Sequence, residues 1–373
     1  MNAAPSLPKR TLMGPGPSDV YPEVLEAMSR PTIGHLDPSF VAFMDLLNER
    51  LRDAFRTENT VTLPISAPGS AGMECVLVNL LEPGETVVIA TNGVFGGRMN
   101  EIARRCGAKP VNVDFEWGKP VDPQKMEDTL KAHPEAVALA FVHSETSTGV
   151  RSDAKTLCEI ARDHDCLSIV DAVTSLGGIE LNVDQWGINA IYSGTQKCLS
   201  APPGLSPISL DERAMQKVRA RAEPPQSWFL DLQLLTGYWG PGAKRAYHHT
   251  APINALYALD AALTRLHDEG LENSWRRHAE YHELLREGLE AMGLEFFVTL
   301  ENRLPQLNAV RVPEGVDEAA VRTYLLQHHN LEIGAGLGPM AGKIWRIGLM
   351  GASCSKHHVE LCLGALEEAL KQA

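Results

Sequence analysis

Between residues 60 and 210, short apolar runs alternate with stretches of helical period, and this alternation restricts the fold more than any other feature of the chain. The runs at 86–91, 110–113, 136–142, 167–171, 190–193 and 205–210 read as strands of a sheet covered on both faces. Between two of them, the segment 153–164 carries Leu157, Ile160 and Ala161 on one helical face, with Ser152 or Asp153 placed to cap it. Repetition of strand and helix in this way dictates an α/β fold: a mainly parallel sheet sandwiched by helices, joined by right-handed crossovers.

Beyond a stretch at 223–252 that contains Pro and Gly, the pattern changes. Leu256, Leu259, Leu263 and Leu266 mark a long helix ended by Gly270, and a second runs from about 271 to 292 and stops at Gly293. Strands at 306–312, 331–333 and 344–349, with helices near 318–328 and 355–371, predict a smaller C-terminal α+β domain. The division expected is an N-terminal arm at 1–20, a large α/β domain at 21–255 and the small domain at 256–373. There is no internal repeat, low-complexity tract or long charge run, which argues against scaffold and solenoid roles.

At 373 residues, 44% of them hydrophobic, the chain has ample material for a large core, and its net charge of −13 repels polyanions. Nucleic acid is therefore not an expected partner. No apolar run reaches the ~18 residues that span a bilayer, the first ten residues lack a signal-peptide core, and the last three match no peroxisomal or retention signal. A soluble cytoplasmic protein with no membrane partner is the expectation. Seven scattered cysteines without a C-x-x-C pair predict reduced thiols. The histidine doublets at 248–249, 328–329 and 357–358 lack ligand spacing, so no metal is expected.

Three segments carry chemistry. In SGTQKCLSAPPG at 193–204, small residues crowd around Lys197 directly after an apolar strand. Gly and Pro fix the path of such a loop and can aim the lysine into a cleft, where its pKa falls and it can form a Schiff base with an aldehyde; a solvated loop lysine is the plain alternative. Asp171 ends the preceding buried strand, either to cap the next helix or to face a ligand in the crevice that the strand ends share with Lys197. A carboxylate facing a pyridine nitrogen keeps that ring protonated and electron-withdrawing. The turn APGSAGME at 67–74 opens an apolar helix with exposed amides and a hydroxyl, suited to a phosphate or simply to a turn and cap. Neither the Walker pattern nor G-x-G-x-x-G is present, so nucleoside triphosphate and nicotinamide sites have no support.

Together and in this order, these segments resemble the class V aminotransferases of the fold type I pyridoxal-phosphate enzymes, above all the alanine–glyoxylate and serine–pyruvate or serine–glyoxylate group. The likeness extends through MGPGPS at 13–18, GHLDP at 34–38, NGVFG at 92–96, ETSTG at 145–149, YHHT at 247–250 and WRIG at 345–348. It implies pyridoxal 5'-phosphate as cofactor, held covalently by Lys197, which then shuttles a proton to and from the substrate Cα. It further implies Asp171 at the pyridinium nitrogen, Val173 on one ring face, Phe95 stacked on the other and Thr146 hydrogen-bonded to the ring oxygen or beside it. Gly69, Ser70 and Gln196, with Ala71 beside them, would hold the phosphate. Tyr247 and Thr250 would reach the phosphate of a neighbouring subunit, so that a homodimer shares its active sites.

By the same likeness Arg346 grips the substrate carboxylate as a planar fork, while Gly16 and the turn before it wall the pocket with backbone. Such a tight site fits a small amino acid as donor, alanine or serine, and glyoxylate or pyruvate as the 2-oxo acid, in a ping-pong cycle. Phe95 stands where relatives often carry Trp, and Thr146 where many carry Ser; both keep the needed group. Relatives with pyridoxamine, 2-aminoethylphosphonate or ureidoglycine as donor share these motifs. Cys354 motivates a further alternative, a carbon–sulfur lyase with a reactive thiolate.

Overall fold

The computed structural model describes residues 7–240 and 245–372; the first six residues of the expected arm, and the last residue of the C-terminal tripeptide, lie outside the described residues. The central sheet has seven strands in the order Val61–Ile65, Ser206–Leu210, Ala190–Tyr192, Leu167–Asp171, Ala136–Val142, Thr86–Thr91 and Lys109–Asp114. All neighbouring pairs are parallel except those made by Ser206–Leu210, which runs against both of its neighbours. The sheet is thus mainly parallel, as the alternation predicts. Its middle strands are buried at every position but Val137 because helices cover both faces, which is why they are apolar at successive positions rather than alternate ones.

Val61–Ile65 is a strand that the hydrophobic pattern alone does not single out. It contains Pro64, which donates nothing to a ladder and fits only an edge position; here it pairs with Pro207 across the register. Asp153 rather than Ser152 caps Ala154–Asp163, accepting from Thr156 N at 3.1 Å, while the Ser152 hydroxyl accepts from Val121 N at 3.1 Å.

The C-terminal part builds a three-stranded antiparallel sheet in the order Leu307–Arg311, Ile344–Gly348, Gly334–Ala335, packed by Leu271–Ala291, Glu318–His328 and Lys356–Gln372. Leu331–Glu332, within the strand expected at 331–333, pairs in parallel with Thr11–Leu12, so the arm is stitched to this part of the molecule. Two cores result. Ile253–Glu269 packs against Pro22–Met28 and Pro38–Phe55 and sends Leu256, Leu259 and Leu263 into the first. Leu285 and Leu289 of the next helix join Trp345 and Ile347 in the second. Burying each such side chain contributes roughly 1.5–3 kcal/mol, so each core holds its own elements in register. Among the described residues no helix is long and apolar enough to cross a membrane.

Candidate active site

The carboxyl ends of the parallel strands open toward the junction of the two cores, where the arm passes. Asp171, the last residue of its strand, is 2% exposed. Its Oδ1 accepts from Val173 N at 2.8 Å, as a capping acid would, and its Oδ2 accepts from the Tyr192 hydroxyl at 2.9 Å. Tyr192 stands opposite Asp171 on the next strand, so sheet register makes this pair. Burial pushes the Asp171 carboxyl up to about 7, with both donated hydrogen bonds opposing the rise. A buried carboxylate of this kind gains most from a cation placed against it.

Lys197 is buried too, and its Nζ donates to the Pro15 carbonyl of the arm. The loop around it is closed by Ser200 N donating to Lys197 O at 3.0 Å, with Ser200 in the left-handed region at φ 53°. Ser18 fixes the arm to the same loop: its N–H donates to Gln196 O and its hydroxyl to Lys197 O, each at 2.9 Å. Burial depresses the Lys197 amine to about 8, and the positive charge of Arg346 adds to the effect. At Gly16, φ is +99° and a Cβ would lie 2.6 Å from Lys197 Cδ, so glycine is needed both for the turn and for the lysine to pass it.

Gly69 is the first residue of the helix Gly69–Leu80; a Cβ there would lie 3.3 Å from Val173 Cγ2 and 3.5 Å from Ser193 O. The helix start therefore abuts Val173 and the lysine loop. Gln196 Oε1 is buried there without a partner among the described residues. The Ser70 hydroxyl accepts from Arg98 Nη1 at 2.8 Å, whereas the Ala71 amide turns back to Pro68 O at 2.7 Å.

Glu145, fully buried, joins two further pieces. Its Oε2 accepts from Phe95 N at 3.1 Å, at the start of the helix Val94–Arg105, and its Oε1 accepts from Ser147 N at 3.0 Å and the Ser147 hydroxyl at 2.6 Å. Thr146 shares a 2.6 Å hydrogen bond with the Thr174 hydroxyl, and its carbonyl accepts from Arg346 Nη1 at 3.1 Å. Arg346, on Ile344–Gly348, also donates through Nε to Ala335 O at 2.7 Å. Burial lowers its guanidinium to about 10, opposed by Glu145, so it stays charged at neutral pH.

Lys197, Asp171, Val173, Gly16, Gly69, Ser70, Ala71, Gln196, Phe95, Thr146 and Arg346 thus converge through these contacts. Tyr247 and Thr250 do not join them. Both are exposed, Tyr247 lying against the ring of His35 with centroids 5.2 Å apart. Their segment is tethered nearby through His249 Nε2 and the Ser66 hydroxyl at 2.7 Å. The sequence motifs at 13–18 and 145–149 include Ser18 and Glu145 without giving either a role, and Tyr192 and Arg98 lie outside the motifs; for Glu145 the signal was available, since it is an acid placed just after a buried strand, as Asp171 is at the end of one. Cys354 is buried and its thiol is pushed up to about 12, so it is held as a thiol rather than a thiolate.

Residues 12–347 match the family model described as aminotransferase class V. The chain is 42% identical to the alanine–glyoxylate aminotransferase of Rattus norvegicus, over 98% of this chain and 89% of that protein. Among solved structures it resembles an alanine–glyoxylate aminotransferase from Nostoc sp., with a TM-score of 0.97 and 44% identity over 99% of this chain and 97% of that one. It is equally close in fold to the ureidoglycine–glyoxylate aminotransferase of Bacillus subtilis, with a TM-score of 0.97 and 41% identity over 99% of this chain and 95% of that one. A buried lysine and aspartate at the mouth of a mainly parallel sheet, with this extent of likeness, place the chain in the class V aminotransferases, the pyridoxal-phosphate-dependent transaminases.

Proposed function

We propose that this enzyme moves the amino group of a small amino acid, alanine or serine, onto glyoxylate or pyruvate, in a ping-pong cycle whose two half-reactions use one site. One observation carries the choice of a small substrate. The arm turn at 14–16 lies between Lys197 and the strand beside Arg346: Pro15 O receives the Lys197 amine, and a Cβ on Gly334, the register partner of Arg346, would come within 2.9 Å of the Pro15 ring. Backbone from this turn therefore walls the space between the amine and the guanidinium.

The donor set suits pyridoxal phosphate. A buried carboxylate, a buried amine of lowered pKa and a helix start bearing a hydroxyl match its ring nitrogen, its aldehyde and its phosphate. In this reading Lys197 holds the aldehyde carbon and Asp171 the ring nitrogen, Val173 and Phe95 cover the ring faces, and Thr146 lies beside the ring oxygen. Gly69, Ser70, Ala71 and Gln196 surround the phosphate. When bound, the cofactor supplies an acceptor for the amino group and a ring that draws electrons from the substrate Cα. Arg346 binds the substrate carboxylate through its planar fork and so sets which Cα bond faces the lysine. Lys197, freed when the substrate amine takes its place and neutral in a substantial fraction near its pKa of about 8, would move the proton from that Cα to the cofactor's aldehyde carbon, and in the opposite direction during the second half-reaction. Asp171 keeps the ring nitrogen protonated, and Tyr192, whose phenol is held protonated by burial and by Asp171 itself, keeps the carboxylate oriented.

The same reading extends to a homodimer. Trp228 and Tyr247 are 61% and 63% exposed, with Leu36 and Phe229 also at the surface, an apolar area that a second subunit would cover. Such a partner gives Tyr247 and Thr250, which make no hydrogen bond to the converging residues of their own chain among the described residues, a phosphate to bind. Seven free, buried cysteines support a reducing, cytoplasmic setting.

An absorbance spectrum of the purified protein tests the reading. A visible cofactor band is expected, lost in Lys197→Ala, bleached by L-alanine or L-serine and restored by glyoxylate. Bleaching by 2-aminoethylphosphonate, pyridoxamine or ureidoglycine, with alanine and serine inert, would assign a different donor. Double-reciprocal lines that intersect as donor and acceptor vary would rule out the ping-pong cycle.

A further inference from the structure

Arg98 lies three residues after Phe95 on the helix Val94–Arg105, so the two side chains project from the same face. Its guanidinium stacks over the Phe95 ring, 5.0 Å from the centroid, and its Nη1 donates to the Ser70 hydroxyl oxygen at 2.8 Å. It therefore touches two residues that the proposed function places on opposite parts of the cofactor, the ring and the phosphate. Farther along the helix, Arg104 and Arg105 both pair with Glu101. Arg98 makes no ion pair among the described residues, although Glu74 and Glu101 line the same cavity of about 580 Å³. A cation left without an acid, beside a hydroxyl on the first turn of a helix, is placed to receive an anion.

The direction of the hydrogen bond matters. Because Arg98 donates into Ser70 Oγ, the hydroxyl hydrogen of Ser70 stays free to donate onward, to the same group that meets the amides at the helix start. The guanidinium has further N–H groups for a second acceptor while its face remains on Phe95, a combination that an ammonium does not offer. We propose that Arg98 is a phosphate ligand of this site, closing the cradle of Gly69, Ser70 and Gln196 from the Phe95 side, and that it makes the site select phosphorylated over unphosphorylated pyridoxal. The proposal rests on the reading of Ser70 as a phosphate residue.

The test uses the apo-protein, with Arg98→Met and Arg98→Lys beside the parent. Because the side chain is exposed, both variants should fold. Titrations with pyridoxal phosphate and with pyridoxal read the two affinities, and thermal shift with inorganic phosphate reads the anion alone. Loss of charge-assisted hydrogen bonds predicts about tenfold or more weaker binding of pyridoxal phosphate in Arg98→Met, an intermediate loss in Arg98→Lys, and pyridoxal affinity unchanged within about twofold. Phosphate should raise the melting temperature of the parent and not that of Arg98→Met. Equal weakening of both aldehydes would mean that Arg98 acts only by packing on Phe95, and unchanged affinity for both would equally overturn the proposal. A parent that binds no pyridoxal phosphate at all would overturn the cofactor-site reading with it, whereas a parent that binds it as tightly as Arg98→Met sinks this proposal alone.

Discussion

Lys197 owes its usefulness to an unfavourable position. An amine in water prefers its proton, but burial and the neighbouring Arg346 charge bring its pKa from the ordinary 10.5 to about 8. Capture of an aldehyde needs the free amine, so the rate at which apo-protein takes up pyridoxal phosphate should rise with pH through about 8 and level off above it. Arg346→Met removes one of the two causes, and the midpoint should move upward toward the ordinary value; stopped-flow absorbance across a pH series reads both, and a midpoint near that of a free lysine in the parent would contradict the geometry. Glu145 yields a second prediction. Its oxygens accept from three donors, so the amide of Glu145→Gln would set an NH₂ against an N–H or O–H whichever way it turned. A loss of about 1–3 kcal/mol in urea unfolding should accompany higher KM values for both substrates, because Phe95 and Ser147 are both anchored there and Thr146 lies between Glu145 and Ser147; an unchanged midpoint would remove Glu145 from this role. Lys197, Asp171 and Arg346 were legible in the sequence because each is a charge set in or beside an apolar strand, an anomaly on a single line of text. Tyr192 was not, because its value comes from standing opposite Asp171, and register between strands is written in no local pattern.

Elements followed the same logic. The buried parallel strands were readable because covering both faces leaves a continuous apolar run, whereas Val61–Ile65, with its proline and its edge position, carries no such mark. Thr11–Leu12 was also invisible: a two-residue strand has no period, and its partner Leu331–Glu332 lies at the other end of the chain. That pairing still matters, since it helps to hold the turn that places Pro15 O on Lys197. Gly16→Ala should therefore act on both backbone and lysine, lowering stability by about 1 kcal/mol or more for the left-handed backbone and slowing cofactor uptake about tenfold or more by displacing the lysine. Gly293 is the control, with φ +76° and, among the described residues beyond its chain neighbours, no atom within 4 Å of the added Cβ. Gly293→Ala should lose a comparable backbone contribution and leave uptake unchanged. Similar uptake in the two variants would show that the arm turn does not position the lysine.

At the scale of the whole molecule, one chain brings most of the candidate site residues together at the meeting of two cores but leaves Tyr247 and Thr250 on its surface. If those residues serve a partner's phosphate, each site takes Lys197 from one subunit and Tyr247 from the other. Lys197→Ala and Tyr247→Ala homodimers would then each be impaired at both sites. In a mixed dimer, one site would carry both substitutions and the other neither. Refolding equal amounts of the two variants together gives about half mixed dimers at random assortment, each with one intact site, so about a quarter of the parent's transaminase activity should return. The recovery requires that Tyr247→Ala alone be strongly impaired and that size-exclusion chromatography with light scattering show dimers. Activity no higher than the average of the two separate variants, from a sample in which mixed dimers are demonstrated, would place Tyr247 and Lys197 in the same subunit's site and dismiss the shared-site assembly.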